Sequence, residues 1–90
     1  MYTLENDKLI IEVAVKGAEI QRIYNKETSL EYLWSGDPAF WGKHAPVLFP
    51  IVGTLKDGKY IYQDKEYTLG RHGFARDKDF TLENEAPETV

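Results

Sequence analysis

Three side chains able to bind a polar ligand lie within five residues of one another, as His72, Phe74 and Arg76. If residues 70–77 are extended, period-two alternation places these three on one face and leaves Gly73 and Ala75 on the other. An aromatic ring covers C–H surface, while imidazole and guanidinium donate directional hydrogen bonds to hydroxyl or phosphate oxygens. The stretch is therefore predicted to bind a polyhydroxylated or anionic small molecule, although it does not by itself name a reaction.

The same residues also have purely structural interpretations. An imidazole such as His72 is often half-buried and hydrogen-bonded beneath a loop. Arg76 could pair at the surface with a carboxylate, where an ion pair contributes roughly 0 to 1 kcal/mol and has no functional meaning. The carboxylates nearby in sequence are Asp77, Asp79 and Glu83. The local sequence leaves both interpretations open.

Aromatic residues flank a predicted turn at 35–38. Trp34, Phe40 and Trp41 could stack on a sugar ring, but aromatics around a Pro-Gly turn in a small β domain more often close a hydrophobic core. A core role is therefore favoured for them. His44, in the loop that follows, is a weaker candidate for the site because an exposed loop His is the more common case.

Length, composition and charge limit the classes of protein. The chain has 90 residues, a formal charge of −4 and no Cys, which predicts one small domain or part of a larger one, with neither a disulfide framework nor a thiolate metal site. Scattered Lys residues argue against a nucleic-acid partner. The absence of a signal-peptide pattern and of an apolar run of about 20 residues predicts a cytoplasmic protein with no membrane association.

Apolar alternation and turn signals predict an all-β chain of antiparallel strands. We expect strands at 2–5, 8–15, 18–24, 30–34, 59–62, 65–69 and 80–85. A brief helical turn is expected at 39–41, capped by Ser35 or Asp37. The apolar run 47–53 is expected to be buried but irregular, because Pro46 and Pro50 interrupt any central strand ladder.

Three separated segments resemble, in order, the aldose 1-epimerase (galactose mutarotase-like) family. They are HAPVLFPIVG at 44–53, LKDGKY at 55–60 and RHGFARD at 71–77. The N-terminal strands are similar as well, and the branch most resembled is that of the LacX-type and glucose-6-phosphate 1-epimerase-like proteins. The resemblance implies an antiparallel β-sandwich with sugar bound in a cleft, of which residues 1–90 form the N-terminal part of a single domain.

The resemblance also implies an isomerase that interconverts the anomers of a hexose or hexose phosphate. A base removes the anomeric hydroxyl proton while an acid protonates the ring oxygen, and the ring opens and recloses. This chemistry requires no metal, nucleotide or other cofactor. The family's general-acid His and general-base Glu lie downstream of the matching segments, so no catalytic residue is assigned here and the isolated chain is expected to be inactive.

The residues carried over by the resemblance concern substrate binding. His72 corresponds to a substrate-contacting His, and Arg76 to an Arg that holds an anionic group in the phosphosugar branch. The expected binding set also contains Phe74, for its aromatic ring, and Arg71, neither of which is carried over by the resemblance. Where relatives usually carry an Arg after Gly53, this chain has Thr54, and Arg71 is the candidate to compensate.

A different class of function remains open. The chain could be a non-catalytic β module that binds carbohydrate, or one that forms homo-oligomers through exposed strand edges.

Overall fold

The computed structural model describes residues 1–83. The strands in this range are β1 (Tyr2–Glu5), β2 (Leu9–Val13), β3 (Ile20–Asn25), β4 (Leu30–Glu31), β5 (Lys59–Tyr62) and β6 (Lys65–Thr68). Two short 3-10 helices lie at Lys56–Gly58 and Ala75–Asp77. Strands β1 to β4 form an antiparallel sheet in chain order, and β5 and β6 form a separate antiparallel hairpin. The prediction of an all-β antiparallel fold is confirmed.

Turn chemistry explains why the strands end where they do. Asn6 joins β1 to β2 by accepting the N–H groups of Lys8 and Leu9 on its side-chain oxygen, both at 2.8 Å. Gln63 and Asp64 join β5 to β6 with φ of 50° and 61°, the positive values that a two-residue turn between twisted strands requires.

The segment between β2 and β3 is longer than expected. The register shifts between Glu12 and Val13, so β2 ends at Val13 rather than at residue 15. Gly17 and Ala18 then adopt φ of 72° and 48°, a left-handed turn that delays β3 until Ile20. Residues 15–19 form the β2–β3 turn.

The helical turn after residue 37 is present, whereas the last expected strand is not found in the described part of the chain. The helical turn after residue 37 is capped by Asp37, whose carboxylate accepts the Ala39 N–H at 2.9 Å. The strand expected at 80–85 is wrong over residues 80–83, which form no strand. Phe80 instead donates its N–H to the Val15 carbonyl at 2.9 Å, beside an isolated bridge between Lys16 and Asp79. Residues 84 and 85 lie outside the described range.

Burial is the main departure from expectation. Ala75, 6% exposed, is the one hydrophobic side chain that is buried in the described part of the chain, and the thinnest dimension of the fold is 14 Å. The run 47–53 is irregular as predicted but not buried, since Phe49 is 60% exposed and Val52 75%. The core role favoured for the aromatics is also wrong, since Phe40 is 81% exposed and Trp41 51%. A single layer offers no second layer for these side chains to pack against.

The four-stranded sheet has one apolar and one charged face. Leu4, Ile11 and Ile23 lie opposite one another in register, while the other face carries Arg22 between two carboxylates. Its guanidinium lies 3.7 Å from Glu12 and 3.1 Å from Glu31. A sheet with one apolar and one charged face normally packs the apolar face against another layer of structure.

Glu31 provides a test of the sheet's charged face. Partial burial alone would raise the pKa of its carboxyl, but hydrogen bonds from the Ile23 and Leu33 N–H groups and the Arg22 guanidinium bring the pKa below its usual value. We expect Glu31→Gln to lower the free energy of unfolding at pH 7 by about 0.5 to 1 kcal/mol, a small cost because solvent screens a partly exposed pair.

That cost should depend on pH in a defined direction. A carboxyl with a lowered folded-state pKa stabilises the fold above its unfolded pKa and loses this contribution as the pH falls through the folded value. Urea denaturation at pH 7 and below pH 4 should therefore show the difference between wild type and Glu31→Gln shrinking towards zero. Glu27→Gln, in the exposed β3–β4 turn, is the matched control, and a difference that persists at low pH would contradict the assignment.

Candidate functional site

Residues 70–77 are not extended, so the predicted alternation of His72, Phe74 and Arg76 on one face is wrong. His72 and Gly73 adopt φ of 62° and 72°, and Ala75–Asp77 form a 3-10 helix. Long-range hydrogen bonds decide this geometry, because the His72 N–H donates to the Gly53 carbonyl at 2.7 Å. The result is a compact loop that reverses direction at His72.

The small residues of this loop pack against another part of the backbone. The Phe49 carbonyl accepts the N–H groups of Phe74 and Ala75, at 2.9 and 3.1 Å. A Cβ at Gly73 would lie 2.5 Å from the Phe49 carbonyl carbon and nearer still to its oxygen. The sequence requirement for small residues at 73 and 75 therefore comes from this close approach of two backbones.

The loop is also attached to the sheet through the β2–β3 turn. Gly17 donates its N–H to the Lys78 carbonyl at 2.6 Å, and Lys16 forms an isolated bridge with Asp79. Residues 70–80 are thus held on one side by the segment around Phe49 and on the other by the sheet.

A pocket of about 390 Å³ opens between this loop and the segment before Phe49. Its described lining consists of Trp41, Lys43, Pro46, Leu48, His72 and Arg76. The volume lies within the range of about 300 to 1,000 Å³ typical of small-molecule sites. The lining combines apolar surface with an imidazole, an ammonium and a guanidinium, and none of the six side chains is a carboxylate.

The structure brings together two of the four predicted binding residues and separates the other two. His72 and Arg76 both line the pocket. Arg71 does not, and its carbonyl instead accepts a hydrogen bond from the Arg76 guanidinium at 3.1 Å. Phe74 is 46% exposed and lies under the Lys78 ammonium, 5.8 Å from the ring centroid. Arg71 therefore supports Arg76, while Phe74 lies outside the pocket lining.

The hydrogen bonds of His72 indicate which ring nitrogen can serve a ligand. Its Nδ1 accepts the Gly53 N–H at 2.8 Å, and a neutral imidazole has only one acceptor nitrogen. Arg71 Nε also donates towards Nε2, at the longer distance of 3.3 Å, and since both nitrogens cannot accept in one neutral ring we assign the acceptor role to Nδ1 and the hydrogen to Nε2. The shorter backbone bond determines the tautomer and leaves Nε2–H as the donor of the ring.

Sequence reasoning missed Lys43 and assigned Trp41 to a core. Both lie about 30 positions before His72, and no local pattern indicates that they share a pocket with it. The sequence feature that could have indicated them is the pairing of Trp41 with Lys43, which directly precedes the HAP segment. Their position is secured by Trp34, whose indole N–H donates to the Trp41 carbonyl at 2.8 Å.

The loop that carries Lys43 is anchored to the β2–β3 turn by a carboxylate. Glu19 Oε1 accepts the N–H groups of His44 and Ala45 at 2.7 and 3.0 Å. The His44 imidazole is half-buried, with Nδ1 2.9 Å from the Trp34 carbonyl, so His44 belongs to the loop's internal structure and not to the pocket lining. Glu19 was not singled out from the sequence.

The electrostatic character of the pocket follows from its lining. Lys43 and Arg76 are cations, and His72 adds an N–H donor, so the described walls favour acceptor oxygens and anions. Among residues 1–83, no group of three or more His, Asp or Glu side chains is arranged to hold a metal ion. None of the helices in this range is long and apolar enough to span a membrane.

Comparison with known proteins places this geometry in a family. The sequence profile of the aldose 1-epimerase family matches residues 1–90. Chromosomal protein LacX of Lactococcus lactis subsp. lactis is 42% identical over 85 residues, which cover 89% of this chain and 28% of LacX. The chain belongs to the aldose 1-epimerase family, and it spans somewhat more than a quarter of the length of the curated relatives that it matches.

Solved structures agree with this assignment. A galactose mutarotase-like protein from Lactobacillus casei superposes with a TM-score of 0.90 at 43% identity, covering 96% of this chain and 29% of that protein. A galactose mutarotase related enzyme from Lactobacillus acidophilus gives a TM-score of 0.89 at 49% identity, with the same coverage. The galactose mutarotase-like fold is therefore shown, and the chain corresponds to the N-terminal part of these proteins.

Proposed function

We propose that this chain is the substrate-binding N-terminal part of an aldose 1-epimerase that interconverts the anomers of a hexose or hexose phosphate. The observation that carries the proposal is the convergence of Trp41, His72, Lys43 and Arg76 on one pocket. An indole face suits the C–H surface of a pyranose, and the imidazole N–H suits its hydroxyl oxygens. The two cations favour a substrate that also carries a phosphate group.

The described lining is suited to binding and lacks half of the catalytic machinery. Opening a pyranose ring requires a base at the anomeric hydroxyl and an acid at the ring oxygen. His72 Nε2–H could donate, but none of the six lining side chains is a carboxylate that could serve as the base. We therefore propose that His72 and Arg76 bind the substrate. We propose that the acid–base pair is supplied by the part of the family's fold that residues 1–90 do not match.

The same reasoning supports the proposed domain organisation. The antiparallel sheet has one apolar face, the fold is 14 Å thick, and one hydrophobic side chain is buried among the described residues. These are the properties expected of one layer of a β-sandwich. We propose that residues 1–90 belong to a single β-sandwich domain whose other strands supply the second layer and the remaining wall of the cleft.

Anomer exchange measured by NMR saturation transfer tests the function. The substrates are glucose, galactose and glucose 6-phosphate, and the proteins are the 90-residue chain and a fusion in which it replaces the matching segment of Lactococcus LacX. We expect the fusion to accelerate exchange and the chain alone to have no effect. His72→Ala in the fusion should lower the acceleration by about tenfold, because a hydrogen bond that binds and orients the sugar is lost.

Two outcomes would count against the proposal. A folded fusion that leaves all three sugars unaffected, while LacX itself accelerates one of them, would contradict the binding role of this segment. If LacX is also inactive but the chain binds sugar, the result would favour the non-catalytic carbohydrate-binding module.

A further inference from the structure

We propose that the β2–β3 turn, residues 15–19, is a positioning element that sets the separation of the pocket's two cationic walls. One wall carries Lys43 and the other Arg76, and they come from loops about 30 residues apart in sequence. This turn is hydrogen-bonded to both loops. The positioning role concerns geometry alone. Its effect on which sugar is bound rests on the proposed function.

The attachment to the Lys43 wall is made by a side chain. A single carboxylate oxygen of Glu19 accepts the N–H groups of His44 and Ala45 at 2.7 and 3.0 Å. These are charge-assisted bonds to the two residues that directly follow Lys43, in part-buried surroundings, and such bonds are stronger than neutral ones. Moving the carboxylate would move the backbone that carries Lys43.

The attachment to the Arg76 wall is made by the backbone of Gly17, two residues before Glu19. The Gly17 N–H donates to the Lys78 carbonyl at 2.6 Å, and a Cβ at Gly17 would lie 2.7 Å from the Arg76 carbonyl oxygen. Gly17 is buried and has a φ of 72°. The turn therefore abuts the 3-10 helix that carries Arg76 and leaves no space for adjustment between them.

A turn that is hydrogen-bonded to both loops sets how far apart the two walls lie. A phosphate group that engages Lys43 and Arg76 together requires that separation to be held, because charge-assisted bonds depend on distance and angle. A neutral hexose bound by Trp41 and His72 depends on it less. The turn should therefore contribute more to the binding of a phosphorylated sugar than to that of the free sugar.

Binding measurements on Glu19 variants test the functional half of the proposal. In Glu19→Ala, we expect the ratio of affinities for glucose 6-phosphate over glucose to fall about tenfold, the effect of misplacing one charged hydrogen bond. Glu19→Gln keeps an oxygen that can accept both N–H groups and should restore the ratio to within about twofold. Glu27→Ala, an exposed carboxylate of the β3–β4 turn, is the matched control. Equal weakening of both ligands would indicate general loss of structure and overturn this half.

A distance measurement tests the geometric half without any ligand or catalysis. The chain has no Cys, so spin labels can be attached at Gly42→Cys and Asp77→Cys, next to the two walls. We expect one narrow distance distribution in the parent and in Glu19→Gln, and a broadened one in Glu19→Ala. An unchanged distribution in Glu19→Ala would refute the positioning role. Because this readout is independent of sugar, it can fail or succeed separately from the proposed epimerase function.

Discussion

Gly73→Ala is expected to lower the free energy of unfolding by about 3 kcal/mol and to abolish the pocket. An L-residue with a φ near 72° costs about 1 to 2 kcal/mol, and forcing a methyl group into a filled space adds about 1 to 3 kcal/mol. Here the new Cβ would meet the Phe49 backbone at 2.5 Å or less, which a flexible side chain cannot relieve. The two backbones would have to separate, breaking the hydrogen bonds from Phe74 and Ala75 to the Phe49 carbonyl.

The chain supplies a control that separates backbone strain from overlap. Gly58 has a φ of 70° but no atom within 4 Å of a built Cβ. Gly58→Ala should therefore show only the conformational cost, about 1 to 2 kcal/mol. Urea denaturation gives the free energies, and amide exchange of Phe74 and Ala75 reports the loop directly. Equal losses in the two variants would show that the close approach to Phe49 does not stabilise the site.

The second large effect is expected for the pocket's cations. Lys43→Gln and Arg76→Gln should each weaken glucose 6-phosphate binding by about tenfold or more, since a hydrogen bond to a charged group is worth about 1.5 to 3 kcal/mol. Glucose binding should change only a few-fold. If both cations engage the same phosphate, as proposed, the double variant should lose less than the sum of the single losses in free energy.

Fluorescence can measure this binding at the site itself. Trp41 lines the pocket and Trp34 does not, and since the Trp34 indole holds the Trp41 carbonyl, both are kept and the ligand-dependent change in emission is read over a constant Trp34 signal. Lys8→Gln, in the β1–β2 turn, is the control for a simple change in net charge. If Lys8→Gln weakens binding as much as Lys43→Gln, or if the glucose and glucose 6-phosphate affinities fall together, the two cations do not form the phosphate contact.

The class of fold and the family were accessible from the sequence because both rest on local signals. Alternating apolar residues predict β1 to β3, and the turn at Gln63 and Asp64 predicts the β5–β6 hairpin, since strand periodicity repeats every two residues. The His72 to Arg76 motif likewise identified two pocket residues before their geometry was known. It did so through chemical type and family resemblance, and the predicted side-chain alternation was wrong.

Tertiary structure decided what the pocket contains and how its walls are held. The loop at His72 reverses because of hydrogen bonds to Gly53 and Phe49, about 20 residues away in sequence, and these outweigh the local preference for extension. Lys43 and Arg76 line the same pocket, and the loops that carry them are both hydrogen-bonded to the β2–β3 turn, in part through Glu19. Local sequence encodes the conformation of neighbouring residues, whereas a pocket between loops depends on long-range bonds that only the folded chain brings into being.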